Sequence, residues 1–351
     1  MMDPHTSRTS HAAIPLEWVG PIRITTETGT EDIEVPLATY ESPLWPSVRR
    51  GARVTTDTEY GIVATVIDDR MTRSILLEAD DAATVHRTVV DLKSALPQLE
   101  NVVRQSSRHA RLLDMHYQIV GNLLYLRFEF STGDAAGHNM TTLAAQMLTE
   151  HILRTRPGLR YESISGNYCT DKKATAVNGI LGRGKNVVTE LVIPRRVIEQ
   201  RLHTTADRIA TLNTRKNLIG TLLAGGIRSA NAHYANMLLA VYLATGQDAA
   251  NIVEGSQGIT RAEDRDGDLY FSCTLPNLIV GTIGNGKQHS FVEANLTQLG
   301  CLAPRAAGEN ARRLAVLTAA AVACGELSLL AAQTNPGELI RAHTRLERAG
   351  K

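Results

Sequence analysis

The densest run of chemically capable side chains is Ser165-Gly166-Asn167-Tyr168-Cys169-Thr170-Asp171-Lys172-Lys173. Two adjacent lysines beside an acid are ordinarily a solvated surface run. This one falls where the pattern of elements changes, and such junctions are favoured ligand sites. Gly246-Gln247-Asp248 ends an apolar helical stretch, where Asp is commonly a turn residue. His343, near the C-terminus, and Glu41, in an extended segment before Pro43, would each by default be exposed and idle. Phosphate chemistry finds less support. Gly179–Lys185 and Gly281–Lys287 both spell G-x4-G-K, but Asn186 and Gln288 stand where a P-loop needs a hydroxyl for magnesium. No G-x-G-x-x-G follows a strand pattern with an acid downstream, so a Rossmann site is not expected. Any dinucleotide must be held another way.

The elements that position these residues form two blocks. At 351 residues, two connected domains are the natural expectation. A net charge of +1 gives no basic excess for nucleic acid, although local basic pockets would suffice for a nucleotide. Cys169, Cys273, Cys301 and Cys324 are scattered, with neither a disulfide framework nor a metal knuckle, which fits a reducing cytoplasm and no metal. Residues 1–14 read as a polar leader without a signal peptide. Residues 15–56 read as extended, with Pro15, Pro21, Pro36, Pro43 and Pro46 limiting any helix.

A helix is expected over 82–95. A hairpin follows over 112–132, turning at Gly121-Asn122, with Leu124, Leu126, Phe128 and Phe130 on one face and Tyr125, Arg127 and Glu129 on the other. A helix over 139–154 and a strand near 159–165 complete a small α+β sandwich. Beyond Ser165 the chain turns Ala- and Leu-rich. Pro194 is placed as the first residue of a helix reaching Leu202. Apolar helices are expected over 235–245 and 314–330. The nearly charge-free run Leu314–Gly325 is short of the ~20 residues of a membrane span.

Taken together, the motifs resemble the hydroxymethylglutaryl-CoA reductases. SGNYCTDKK (165–173), GRGK (182–185), TGDAAGHNM (132–140), NAHYAN (231–236), ATGQDAAN (244–251) and GELSLLAA (325–332) occur in that family's order, from Pro15 to the C-terminus. The likeness is nearer the eukaryote-like, NADPH-using class. It implies an α+β fold in which a helix-rich substrate, CoA-binding and dimerisation domain (1–74 and 164–351) carries an inserted, ferredoxin-like, non-Rossmann NADP-binding domain (75–163).

The same resemblance implies catalytic roles for Glu41, Lys172, Asp248 and His343. It implies that Arg73, Ser165, Asn167, Asp171, Lys173, Lys216 and Asn236 hold the hydroxymethylglutaryl portion. Ser107 and Arg108 would meet the 2′-phosphate of NADPH, and Asp134 and Asn139 match the family's dinucleotide loop. Hydride attack on a thioester builds charge on oxygen, which Lys172 would stabilise. Glu41 would deliver a proton if burial or Asp248 keeps it protonated, Asp248 would link it to Lys172, and His343 would protonate the departing thiolate. The resemblance further implies a homodimer whose lysine loop reaches the other subunit's glutamate and aspartate; the family's N-terminal membrane anchor, by contrast, is not expected here.

The match departs from the family's glycine-rich pattern at Thr55–Gly61, at Gly281–Lys287 and at Arg228-Ser229. Leu346 replaces the family's second C-terminal histidine, and Ala349 a regulatory serine. The competing expectations are another acyl-CoA substrate, an NAD-linked oxidative direction, or a non-catalytic relative that only binds coenzyme A esters.

Overall fold

The computed structural model describes residues 12–284, 286–338, 340, 341 and 344. Strands β1 (Leu16–Thr26) and β2 (Gly29–Ala38) form an antiparallel hairpin, in register from Leu16↔Ala38 to Thr26↔Gly29. Helix α1 (Leu44–Thr56) follows, where the prolines led us to expect none. It forms because Pro43 is its N-cap and Pro46 lies in its first turn, where no backbone N–H has a helical partner to lose.

After β3 (Ile62–Glu78) come α2 (Ala82–Ser94), α3 (Leu96–Ser106), the hairpin strands β4 (Arg111–Val120) and β5 (Leu123–Ser131), α4 (His138–Thr155) and β6 (Arg160–Ser163). The chain continues through α5 (Ala176–Leu181), β7 (Gly184–Ile193) and short helical turns at Arg195–Val197 and Ile198–Leu202. Pro194 is the N-cap of these turns rather than their first residue. Next are α6 (Ala206–Leu212), a π-helical stretch Asn213–Gly220, α7 (Tyr234–Ala244) and α8 (Ile252–Gly255). Strands β8 (Ile259–Arg265) and β9 (Asp268–Leu278) and helices α9 (Ser290–Gln298) and α10 (Glu309–Gln333) complete the α+β architecture.

The long strand β3 belongs to two sets of partners. Through Arg70 it lies in the sheet ordered β2-β1-β3-β7-β9-β8; from Met71 onward it pairs with β5 and β6. Buried apolar side chains divide in the same way. One cluster runs from Ile75 to Leu159; the other gathers residues from both flanking parts of the chain. Leu124, Leu126, Phe128 and Phe130 of β5 are all buried in the first cluster, as their alternation requires. Arg127 and Glu129 on the opposite face are equally buried, because the loop around Gly182 covers them.

Helix α10 is longer than its charge-free run suggests. By length and composition alone it could cross a membrane, but its apolar window is 94% buried within the protein. Gly325 is tolerated in it because Met237 of α7 packs where a side chain would stand.

Candidate active site

The lysine loop leaves β6 and bends sharply. Asn167, Thr170 and Lys172 all have left-handed backbone (φ 58°, 58° and 54°), a conformation that costs a β-branched or long-chain residue free energy unless its surroundings fix it. They do fix it. Thr72 of β3 donates its hydroxyl to Cys169 O (2.9 Å), and the Asn178 amide donates to Thr170 O and Lys173 O (3.0 Å each). The Lys172 N–H donates to Glu254 Oε1 (3.0 Å).

The loop carries Lys172 Nζ to within 2.7 Å of Asp248 Oδ2. Asp248 reaches this point because α7 ends at Ala244 and Gly246, just beyond it, turns the chain with a φ of 62°. Gln247 locks the turn, its amide donating to Thr245 O (2.7 Å) and its oxygen accepting from Gly281 N (2.9 Å). Asp248 also accepts from Ala250 N (3.1 Å), starting the short turn before α8. The Asp248 hydrogen bond raises the Lys172 pKa against partial burial. Burial pushes the Asp248 carboxyl up, but Lys172 and the Ala250 N–H together hold it below its ordinary value.

Beneath the pair lies a buried polar floor that the sequence reading missed. Arg183, from the GRGK turn, pairs with Asp171 (2.9 Å) and with the fully buried Glu254 (2.7 Å). His138, at the start of α4, stands 3.7 Å from Asp171 and 3.3 Å from the Asn251 amide. Burial, with Arg183 nearby, lowers its pKa, so the ring is neutral at neutral pH.

A second cluster gathers elsewhere. Glu41, Asn236, His233 and Arg50 line a cavity of about 350 Å³ with Ser328 and Glu338. Glu326 of α10, wholly buried, organises its wall by accepting from Ala232 N (2.6 Å), His233 N (3.1 Å) and the Thr260 hydroxyl (2.9 Å). Burial lowers the Lys216 pKa, with Glu326 opposing, and its ammonium donates to Asn217 Oδ1 (3.1 Å). The NAHYAN motif was the available signal for His233. His233 and Asn236 flank the start of α7, whereas Asp248 lies beyond its end. Eleven helical residues span about 16 Å. Glu41, which is exposed, therefore shares its cavity with the far end of α7 and not with the Lys172–Asp248 pair. That pair forms within one chain, where the resemblance had implied a contact between chains.

Of the remaining expected residues, Arg73 is half-buried and donates to Ile164 O (3.2 Å), Ser165 accepts from the Ser163 hydroxyl at its carbonyl (3.1 Å), and the Lys173 ammonium turns back on Asp171 O (3.0 Å). Ser107 Oγ accepts from His109 N and Ala110 N (3.1 Å each), which leaves the neighbouring Arg108 exposed. The Asp134 carboxylate is engaged, accepting from Gly308 N and Ala311 N (3.0 Å each) at the start of α10; Asn139 is exposed. His343, Leu346 and Ala349 lie outside the described residues.

The loop 132–137 meets the loop 281–287 through the bridge Ala135↔Ile283 and the hydrogen bond from Thr282 N to Asp134 O (2.8 Å). Gly133 and Gly284, both at positive φ, have open space where a side chain would stand. Lys287, three residues beyond Gly284, turns its ammonium onto Gly246 O (2.7 Å). An open glycine backbone suits a polyanion such as a pyrophosphate. Among the described residues, the one group with metal-ligand spacing is Asp114, His116 and Glu129, and Arg127 and Arg70 already pair with that glutamate.

The family model for hydroxymethylglutaryl-coenzyme A reductase matches residues 8–348. The 3-hydroxy-3-methylglutaryl-coenzyme A reductase of Pyrococcus abyssi is 44% identical over 338 residues, covering 95% of this chain and 82% of that one. That of Phycomyces blakesleeanus is 41% identical over 339 residues, 94% of this chain and 28% of its own length. Among solved structures, the class II reductase of Streptococcus pneumoniae bound to NADPH superposes with a TM-score of 0.75 at 19% identity, covering 93% of this chain and 86% of that one, which shows the shared fold.

Proposed function

The chain belongs to the hydroxymethylglutaryl-coenzyme A reductase family and is an oxidoreductase, and from that premise we propose its chemistry: NADPH-dependent reduction of (S)-3-hydroxy-3-methylglutaryl-CoA to mevalonate and free CoA. The observation that carries the reading is the Lys172–Asp248 pair at 2.7 Å, set on a fixed loop.

The bound nicotinamide dinucleotide supplies hydride in each of two reductions. Lys172 stands ready to meet the oxygen on which charge then develops, first on the thioester carbon and later on the aldehyde. Asp248 keeps the lysine protonated and aimed. When the first adduct collapses, the carbon–sulfur bond breaks and CoA leaves as a thiolate, to which His343 would give a proton. Glu41 would donate the proton that completes the alcohol. Arg73, Ser165, Asn167, Asp171, Lys173, Lys216 and Asn236 would hold the acyl portion. Residues 75–163 would form the NADP-binding domain, with Arg108 toward the 2′-phosphate beside Ser107, and Asp134 and Asn139 in the loop facing the dinucleotide. The separate apolar cluster from Ile75 to Leu159 supports this division, and the open glycines at 133 and 284 support a dinucleotide where their loops meet.

The spacing along α7 supports an active site shared between two copies, with Lys172 and Asp248 from one chain and Glu41 from the other. Four unpaired, buried cysteines support a cytoplasmic setting. The test is the absorbance of the reduced nicotinamide, followed with hydroxymethylglutaryl-CoA and either NADPH or NADH, and in reverse with mevalonate plus CoA. Substrate-dependent loss of NADPH is the expected result. Tight thioester binding without turnover would replace the enzyme reading with a binding one.

A further inference from the structure

We propose that Glu254 is a positioning residue that clamps the lysine loop, so that Lys172 is held at its peptide N–H by Glu254 and at its ammonium by Asp248. The inference rests on the reading of Lys172 as the oxyanion partner.

Both carboxylates come from one short segment, the turn 248–251 and α8, six residues apart in sequence. The segment therefore grips the lysine from both ends with a single rigid element. Glu254 Oε1 takes two donors, Lys172 N at 3.0 Å and Arg183 Nη1 at 2.7 Å. Through Arg183 Nη2 the contact passes to Asp171 at 2.9 Å, the residue immediately before the lysine. Glu254 is 0% exposed and Arg183 1%. Desolvating both charges offsets much of their attraction, so such a pair is weak evidence for stability and better evidence for a fixed geometry. Glu254 Oε2 makes no hydrogen bond among the described residues, a further cost that stability alone would not favour. What the arrangement secures is the left-handed backbone of Lys172 (φ 54°).

The arrangement also acts on charge. The groups around the Lys172 ammonium are the carboxylates of Asp248, Asp171 and Glu254, with Arg183 and neutral His138 behind them. Removing the Glu254 charge makes protonated Lys172 less favourable, so its pKa falls.

The test compares wild type, Glu254→Gln, Glu254→Asp and Lys172→Ala. The reactivity of Lys172 toward acetic anhydride is measured across pH by mass spectrometry, alongside kcat and KM for hydroxymethylglutaryl-CoA. Glu254→Gln should move the half-labelling pH of Lys172 downward and lower kcat by at least about tenfold with KM little changed, as misplacement of a reacting group does. Glu254→Asp keeps the charge but falls short of the N–H, so it should lower kcat while leaving the labelling pH in place. Unchanged labelling pH and kcat in folded Glu254→Gln would overturn the proposal. If that variant does not fold, unchanged kcat in Glu254→Asp does so. A Lys172→Ala variant as active as wild type would instead remove the underlying reading of the lysine, whatever the Glu254 variants do.

Discussion

Replacing Asp248 with Asn separates what the Lys172 pair does for stability from what it does for chemistry. The two side chains are 40% and 47% exposed, so water screens their attraction and the pair contributes only about 0–1 kcal/mol to folding. An Asn at 248 can still accept from Ala250 N, so the turn that begins there survives. The pH dependence has a definite sign. The raised Lys172 pKa stabilises the fold at all pH below the unfolded value and is lost only as pH rises through the folded one. The lowered Asp248 pKa stabilises it above the unfolded value and is lost as pH falls through the folded one. Between those limits the stability difference between wild type and variant should be small and flat. Turnover behaves otherwise. Losing the carboxylate frees the ammonium to swing away from the oxyanion position, and removal of such a partner costs about 100-fold or more in kcat, roughly 2.7 kcal/mol. Thermal melting across neutral pH and NADPH consumption on the same samples provide the comparison. A variant within about threefold of wild-type turnover, or one whose activity falls only in proportion to its unfolding, would refute the reasoning.

Lys287, whose pKa burial lowers to about 8 from 10.5, should make the wild type gain stability as pH rises from about 8 toward 10.5, because over that range the unfolded chain binds the proton more readily. Lys287→Met should abolish that rise in melting temperature. Gly51→Ala would place a methyl inside the backbone of Cys324, where α1 crosses α10, and should destabilise by about 3 kcal/mol or prevent folding, read by chemical denaturation. Arg108→Ala should raise KM for NADPH by about tenfold while leaving that for NADH unchanged, since only the 2′-phosphate loses its partner; equal effects on both cofactors would place Arg108 elsewhere.

Local pattern carried much of the fold. The alternation in β5 and the turn at Gly121-Asn122 specify a hairpin because each side chain there answers mainly to its own strand. Helix α1 is hidden from a count of prolines because proline breaks a helix only beyond its first turn, and Pro43 and Pro46 sit at its start. The burial of Arg127 and Glu129 is hidden for a different reason: alternation assigns them a face but not its cover, which comes from Gly182, 55 residues beyond Arg127. Distance along the chain hid the site in the same way. SGNYCTDKK and the aspartate of GQD were visible as motifs, but Glu254 lies 82 residues from the Lys172 N–H that it accepts, and Arg183 71 residues from Glu254. Glu326 gathers partners from Asn217 to Thr260, so no short window could reveal it. Asp134 has a second partner that its motif does not reveal, since its carboxylate also accepts from Gly308 N and Ala311 N at the start of α10.

The exposure of the lysine pair bears on how the proposed chemistry could work. An ammonium stabilises an oxyanion strongly only where water is excluded, and in this chain Lys172 remains 40% exposed. Its backbone and floor are nevertheless fixed by buried groups, so the geometry precedes the dry environment. The missing cover must come from the substrate, from a second copy, or from both. The placement of Glu41 with His233 and Asn236, at the start of α7, points the same way, because Asp248 lies beyond the other end of that helix. On this reading the rigid part of the site belongs to the single chain, while proton delivery and the exclusion of water belong to the assembly. That division would reconcile a well-ordered ion pair with the small folding contribution expected of two half-exposed side chains.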